Sequence, residues 1–141
     1  MTQPPVLLRS LLLAIAAFTL LGAVVGAIGL TVGGGMGLPQ EWLDGTIFDS
    51  YLWPAVALAV IVGGTQTLAL VLQLRGYALA WGLQAAAGLT LMTWIVVQVA
   101  ILMQWSPLHG IFFATGLLQT TVAVLALGAW PQPFLRRTRT R

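Results

Sequence analysis

Four long apolar stretches constrain the fold of this chain more than any other feature of its sequence. They cover residues 11–30, 52–74, 77–103 and 110–130, and each approaches or exceeds the roughly 20 residues that span about 30 Å of hydrocarbon as a helix. Charged residues make up only 6% of the chain, against about 25% in soluble domains. The sequence therefore predicts an all-α membrane protein, a single domain over residues 1–141 built as an up-down-up-down bundle of four transmembrane helices.

The arginines predict how the bundle lies in the membrane. All six basic residues are arginine, and they precede the first apolar stretch, separate the second from the third, or follow the fourth: Arg9, Arg75, Arg136, Arg137, Arg139 and Arg141. Because positively charged connections stay on the cytoplasmic side, we expect both termini to be cytoplasmic. The lysine-free composition, rich in Ala, Gly and Leu, indicates a bacterium and hence its inner (plasma) membrane.

The last four arginines form a basic tail over residues 131–141. Arginines close to a membrane surface attract anionic lipid. We therefore expect the tail to contact lipid headgroups, with an acidic partner protein as the alternative.

Short connections predict which helices are neighbours. Only Arg75 and Gly76 separate the second and third stretches, and Gly76 suits the left-handed conformation that ends many helices. Residues 104–109 form a similarly short connection, in which Pro107 suits the first turn of the fourth helix. Helices two, three and four are therefore expected to pack as antiparallel neighbours. Only the segment over residues 33–51 is long enough to fold over something.

Glycines recur along the first stretch at helical spacing. Gly22, Gly26, Gly29 and Gly33 form a ridge on one helix face, which would let another backbone approach closely. Gly63 and Gly64 in the second stretch are its expected internal partner. A seam between two copies of the chain is the alternative use of this ridge.

Glutamine and threonine are the polar side chains within the apolar stretches, whose interiors contain no acidic, basic or histidine residue. An unpaired amide in hydrocarbon is costly, and residues at equal depth in an antiparallel hairpin have numbers that sum to a constant. We therefore expect interhelical hydrogen bonds within three pairs of equal depth: Gln66 with Gln84, Gln98 with Thr115, and Thr93 with Gln119. The alternative is that these groups line a polar path, or bind a lipid headgroup or a quinone.

The carboxylates and the single histidine all fall on the predicted outer side of the membrane: Glu41, Asp44, Asp49 and His109. Such groups bind metal ions or exchange protons, but this spacing matches no known ligand motif. We expect them to solvate a loop whose aromatic residues dip into the interface. A partner-docking surface is the first alternative, and a metal or catalytic site is the second. The absence of cysteine excludes disulfides and thiolate chemistry.

Two segments carry a resemblance to known proteins. "GGGMGLPQEWLDGTIFDSYLWPAVALAVIVGG", followed by "LTLMTWIVVQVAILMQWSPLHGIFFATGLLQ", resembles a group of small uncharacterised bacterial membrane proteins with four spans. Gly-Leu-Pro after the first span and the glycine-rich second span are also faintly similar to DoxX-like four-helix proteins. The resemblance implies an architecture and transfers no residue-level site. Members of DoxX-type families that carry out redox chemistry do so with partner subunits.

Together these features predict a small accessory or scaffold subunit in the lipid bilayer, without a catalytic centre of its own. It would pack as a homo-oligomer or against a larger membrane complex. One alternative is a transporter or channel for a small solute or lipid, assembled from several copies around a polar path. Another is a membrane enzyme that uses Asp44, Asp49 and His109 at the outer face. We expect no cofactor, no metal and no nucleic-acid partner.

Overall fold

A computed structural model describes residues 6–32 and 35–128 of the chain. Within these ranges there is no strand, and four helices are long and apolar enough to cross a membrane: α1 (Val6–Val32), α2 (Leu52–Leu74), α3 (Leu79–Leu102) and α4 (Pro107–Ala126). The predicted all-α fold with four membrane-spanning helices is confirmed. The end of the fourth predicted span and the tail arginines lie outside the described residues: Arg136, Arg137, Arg139 and Arg141.

The bundle has two unlike ends. The long-loop end carries the segment over residues 35–51 and the turn between α3 and α4, whereas the Arg75 end carries the turn between α2 and α3, the beginning of α1 and the end of α4. In each helix only 22–28% of the most apolar 18-residue stretch is buried, so large apolar side chains cover the outside of the bundle. A helix that is apolar all round is typical of a membrane span.

The helix α1 begins at Val6, before the predicted boundary at residue 11, and therefore includes Arg9. The Arg9 guanidinium reaches the neighbouring helix, where Nη2 donates to the backbone carbonyl of Gln73 at 3.1 Å. Carbonyls in the last turn of a helix lack a partner within that helix, and a long arginine side chain can reach one while keeping its charge near water. Arg9 thus ties α1 to the C-terminal end of α2.

The two short turns use different residues for the same left-handed backbone. Gly76 has φ of +76°, and the Tyr77 amide donates to the Leu72 carbonyl at 3.0 Å, so Gly76 ends α2 as expected. At the other end of the bundle Met103 has φ of +51° and ends α3 without a glycine. Pro107 is the first residue of α4, as expected.

The helix α2 contains an irregular stretch in its middle. Residues Leu58–Gly63 form a π-helical segment between the α-helical segments Leu52–Ala57 and Gly64–Leu74. The segment widens the helix locally, and such π-turns are frequent where a helix shapes a functional site. Its residues Leu58 and Val62 both face the interior of the bundle toward the long-loop end.

The core consists of two apolar clusters with a polar layer between them. The cluster toward the long-loop end contains Ala23, Val62, Leu91 and Ile95. The cluster toward the Arg75 end contains Leu12, Val122 and Ala123. The polar layer consists of fully buried glutamines, one from each of α2, α3 and α4: Gln66, Gln84 and Gln119.

The backbones of α3 and α4 approach each other closely at two glycines. A Cβ atom built on Gly88 would lie 2.6 Å from the Gly116 carbonyl oxygen, and one built on Gly116 would lie 2.8 Å from the Gly88 carbonyl oxygen. Neither distance leaves room for a methyl group. The close approach that small residues permit in membranes therefore occurs here, and the sequence analysis had not selected these two glycines.

The glycine ridge of α1, of which Gly33 lies outside the described residues, packs against side chains rather than against a second set of glycines. A Cβ atom added at Gly22, Gly26 or Gly29 would come within 3.0 Å of a side chain, respectively that of Phe112, Leu58 or Met36. The expected close packing of this ridge against Gly63 and Gly64 is wrong. The nearest atoms to a Cβ at Gly63 are 3.8 Å away, and none lies within 4 Å at Gly64. Bulky side chains already fill the space beside α1, so a backbone does not enter it.

The substitution Gly88→Ala should lower the free energy of unfolding by about 1–3 kcal/mol, because the added methyl group meets backbone atoms of α4 that cannot move independently. Gly82→Ala on the same helix is the matched control, since a Cβ there meets nothing within 4 Å. Unfolding of the purified protein in mixed micelles measures both. Equal effects of the two substitutions would contradict the proposed close contact.

Candidate functional site

Fully buried glutamines from three helices form one hydrogen-bonded group. Gln66 and Gln119 exchange two bonds, with Nε2 of Gln66 donating to Oε1 of Gln119 at 3.0 Å and the reverse bond at 2.9 Å. Nε2 of Gln119 also donates to Oε1 of Gln84 at 2.7 Å. The amide of Gln84 in turn donates to Oε1 of Gln73 at 2.6 Å. The group therefore runs from the middle of the bundle toward its Arg75 end.

This arrangement differs from the expected glutamine pairing. Gln66 and Gln84 do not bond to each other directly; both bond to Gln119, which lies between them. The amide of Gln119 is consequently engaged, and its expected partner Thr93 is exposed on the outside of the bundle. Equal depth is necessary for a contact, but it does not determine the direction in which each side chain leaves its helix.

The expected bond between Gln98 and Thr115 also does not form. The Thr115 hydroxyl donates to the Ile111 carbonyl of its own helix at 2.8 Å. Threonine can return its hydroxyl to the carbonyl one turn earlier, so it needs no partner on another helix. Gln98 is half-buried and faces the cavity described below.

Replacing the side-chain amide of Gln119 should destabilise the folded protein. Gln119→Leu leaves Gln66 and Gln84 buried without their shared partner, and we expect the free energy of unfolding to fall by about 1–3 kcal/mol. Gln104→Leu, in the exposed turn, should change the free energy of unfolding by a few tenths of a kcal/mol at most. The same mixed-micelle unfolding measurement checks both variants. A Gln119→Leu protein as stable as the Gln104→Leu protein would show that the glutamine bonds contribute nothing.

The segment over residues 35–51 is folded across the long-loop end. Tyr51 is buried; its hydroxyl donates to the Pro39 carbonyl at 2.7 Å, and its ring lies against Gly35, whose φ is +97°. Burial raises the pKa of Tyr51, so its hydroxyl keeps its proton and remains a donor at physiological pH. Between Gly35 and Tyr51, residues Gln40–Leu43 form a short 3₁₀ helix in which Leu43 is buried. The segment is thus held in place by one ring and one hydroxyl.

The structure does not bring the carboxylates and His109 together as a metal or catalytic site would require. The carboxylates of Glu41, Asp44 and Asp49 are exposed on the segment over residues 35–51. His109 is half-buried in the first turn of α4. Across residues 6–32 and 35–128, no three acidic or histidine side chains lie close enough to hold a metal ion. Nδ1 of His109 accepts a hydrogen bond from the backbone amide of Ser106 at 2.9 Å, so the imidazole caps the beginning of α4.

A cavity of about 340 Å³ lies inside the bundle, in the half nearest the long-loop end. All four helices and the segment over residues 35–51 line it. Its deepest lining residues, Thr19, Val62 and Leu91, lie near the middle of their helices. Trp42 and His109 lie at its other extreme, at the end of the bundle. Ligand sites in proteins have volumes of about 300–1,000 Å³ and occur between the helices of bundles, so this is the candidate ligand site of the chain.

The glycine ridge and the one deep tryptophan help to form this cavity. Gly22 and Gly26 line it from α1, and Trp94 lines it from α3. Trp94 lies well inside its helix, away from the membrane interfaces where tryptophan is usually found. Phe112 lies opposite, stacked on Phe18 with the ring centroids 5.8 Å apart. The wall is therefore mainly apolar and aromatic.

One buried polar side-chain atom in this wall lacks a partner among the described residues. The Thr19 hydroxyl is buried and makes no hydrogen bond within the described residues. Sequence analysis missed Thr19, although it is the one polar side chain in the stretch over residues 11–30. Its isolation among apolar residues was the available signal. Its importance depends on the cavity beside it, which only the packing of the other helices creates.

The fold and these sites define a multi-pass α-helical membrane protein with a polar layer in its core and an apolar cavity near one end. No protein-family model, curated protein or solved structure matches the chain. The similarity to four-span bacterial and DoxX-like proteins therefore stays a prediction.

Proposed function

We propose that this chain is a small accessory or scaffold subunit of the bacterial inner membrane, with both termini cytoplasmic and no catalytic centre of its own. In this proposal its bundle is a rigid block that packs against further transmembrane helices. These belong either to other copies of the chain or to a larger membrane complex.

A groove on the outside of the bundle carries this proposal. The groove has a volume of about 470 Å³ and lies between α1 and α2, with Gly63 and Gly64 among its lining residues. Gly64 is exposed, and a Cβ there would meet nothing within 4 Å, so the packing of this chain does not require a glycine at that position. Glycine in a helix interior costs about 1 kcal/mol relative to alanine. A small residue at this position would let a second helix lie in the groove with its backbone close to α2.

The buried polar groups favour this proposal over a transporter. The amides of Gln66, Gln84 and Gln119 are bonded to one another in the centre of the bundle, which leaves them no free face along a path. The exposed carboxylates favour it over an outer-face enzyme. Asp44 and Asp49 are not among the residues that line the cavity, whereas His109 is, so the three do not meet around a common space.

The charge distribution supports the proposed orientation. Arg9 and Arg75 lie toward the Arg75 end, and all three carboxylates lie at the long-loop end. Arginine-bearing connections are retained in the cytoplasm, so the Arg75 end is proposed to face inward. The long-loop end, with the mouth of the cavity, then faces outward.

Association through the groove is testable by native mass spectrometry after gentle extraction. The wild-type chain is expected to appear bound to a second copy or to a different subunit, and Gly64→Ile should abolish that assembly by filling the groove. Gly82→Ile changes an exposed glycine of α3 outside the groove and should leave the assembly intact. A wild-type chain that is always extracted alone would contradict the subunit proposal.

The orientation is testable by labelling single cysteines in intact cells, because the natural chain contains no cysteine. A membrane-impermeant maleimide added from outside should label Asp44→Cys fully. It should label Arg75→Cys only after the cells are opened. Both positions are exposed, so access to water does not differ between them. Labelling of Arg75→Cys in intact cells would reverse the assignment of sides.

A further inference from the structure

The cavity at the long-loop end is elongated. Its lining residues on α1 run from Thr19 to Leu30, which at 1.5 Å per residue is a depth of about 16 Å. Its volume of about 340 Å³ lies near the lower end of the range for ligand sites. Such a space suits one small molecule with an extended shape.

Six helical threonines of the bundle use their hydroxyl within their own helix, whereas the buried Thr19 hydroxyl does not. Each of the six donates to a carbonyl of its own helix: Thr31, Thr65, Thr67, Thr115, Thr120 and Thr121. Thr19 is 1% exposed, and its hydroxyl has no such bond. A buried hydroxyl without a partner is unfavourable, so an acceptor supplied by a bound molecule would stabilise it.

The remaining wall indicates an uncharged ligand. Among residues 6–32 and 35–128, no carboxylate and no arginine lines the cavity, and the one ionisable side chain in its wall, His109, lies at the mouth. Trp94 and Phe112 offer aromatic faces for apolar contact along its length. Gln98, about halfway between floor and mouth, adds an amide. A charged group placed at the floor would be desolvated without a counter-charge, which is strongly unfavourable.

We propose that this cavity binds an uncharged, single-chain apolar molecule whose carbonyl or ether oxygen accepts a hydrogen bond from the Thr19 hydroxyl. The chain of the ligand extends from Thr19 toward the long-loop end, between Trp94 and the glycines of α1. The segment over residues 35–51 closes the mouth through Met36, Leu38 and Trp42. This binding is independent of association through the groove, because the two spaces lie on opposite sides of the α1 wall and share no lining residue.

Two matched probes separate the hydrogen bond from apolar contact. The purified protein in detergent is titrated with 2-undecanone, which carries one carbonyl, and with undecane, which has the same chain length and no oxygen. Binding is read from the fluorescence of the tryptophans at the cavity and from the rise in melting temperature. The wild-type protein should bind 2-undecanone saturably, and more tightly than undecane by about threefold to tenfold, the effect of one neutral hydrogen bond.

Thr19→Val keeps the branched shape of the side chain and removes only the hydroxyl. It should weaken 2-undecanone binding by the same threefold to tenfold and leave undecane binding unchanged. Thr121→Val is the control variant, because that hydroxyl is exposed and bonded to its own helix, and it should change neither affinity. Leu30→Trp, which narrows the cavity near its mouth, should abolish binding of both probes.

The melting temperature of the ligand-free protein gives an independent readout that does not depend on any probe. Thr19→Val should melt at the same temperature as the wild type or higher, because the lost hydroxyl had no partner. Three results would overturn the proposal: no saturable binding of 2-undecanone to the wild type, equal affinity of Thr19→Val and wild type for that ketone, or a Thr19→Val protein that melts well below the wild type.

Discussion

A bundle in hydrocarbon must satisfy its buried polar side chains from within the protein, because lipid offers no hydrogen-bonding partner. Amides from three helices meet that requirement for one another, with Gln119 of α4 bonding both Gln66 of α2 and Gln84 of α3. An apolar surface would not specify how one helix is rotated against another in lipid, since lipid tails are as apolar as leucine. The glutamine layer supplies that specification and separates the two apolar clusters of the core.

Close packing on one side of the bundle accompanies open space on another. The backbones of α3 and α4 come together at Gly88 and Gly116, which have no side chains of their own to hold them apart. On the α1 side, Phe112 and Leu58 fill the positions that glycines leave free, and they hold the helices apart toward the long-loop end. The cavity lies where these large side chains meet the π-helical segment of α2.

The sequence predicted some features well because they depend on local chemistry. Four helices followed from the lengths of the apolar stretches, the end of α2 from Gly76, and the beginning of α4 from Pro107. It also selected the glutamines as groups that need partners. It misassigned those partners because the sequence indicates how deep a residue lies along its helix axis, but it does not indicate how the helix is rotated about that axis. It likewise grouped His109 with the carboxylates, although local capping of α4 uses the imidazole.

The sequence by itself determined that this chain is a four-helix membrane protein, and it placed Gln66, Gln84 and Gln119 within the apolar stretches, because hydrophobic length and antiparallel register are one-dimensional properties. The tertiary structure alone decided that Gln119 joins its two neighbours, that Gly88 and Gly116 form the tight contact, and that Thr19 faces a cavity without a partner. These depend on the rotation and spacing of helices, which result from how all the side chains pack together in three dimensions.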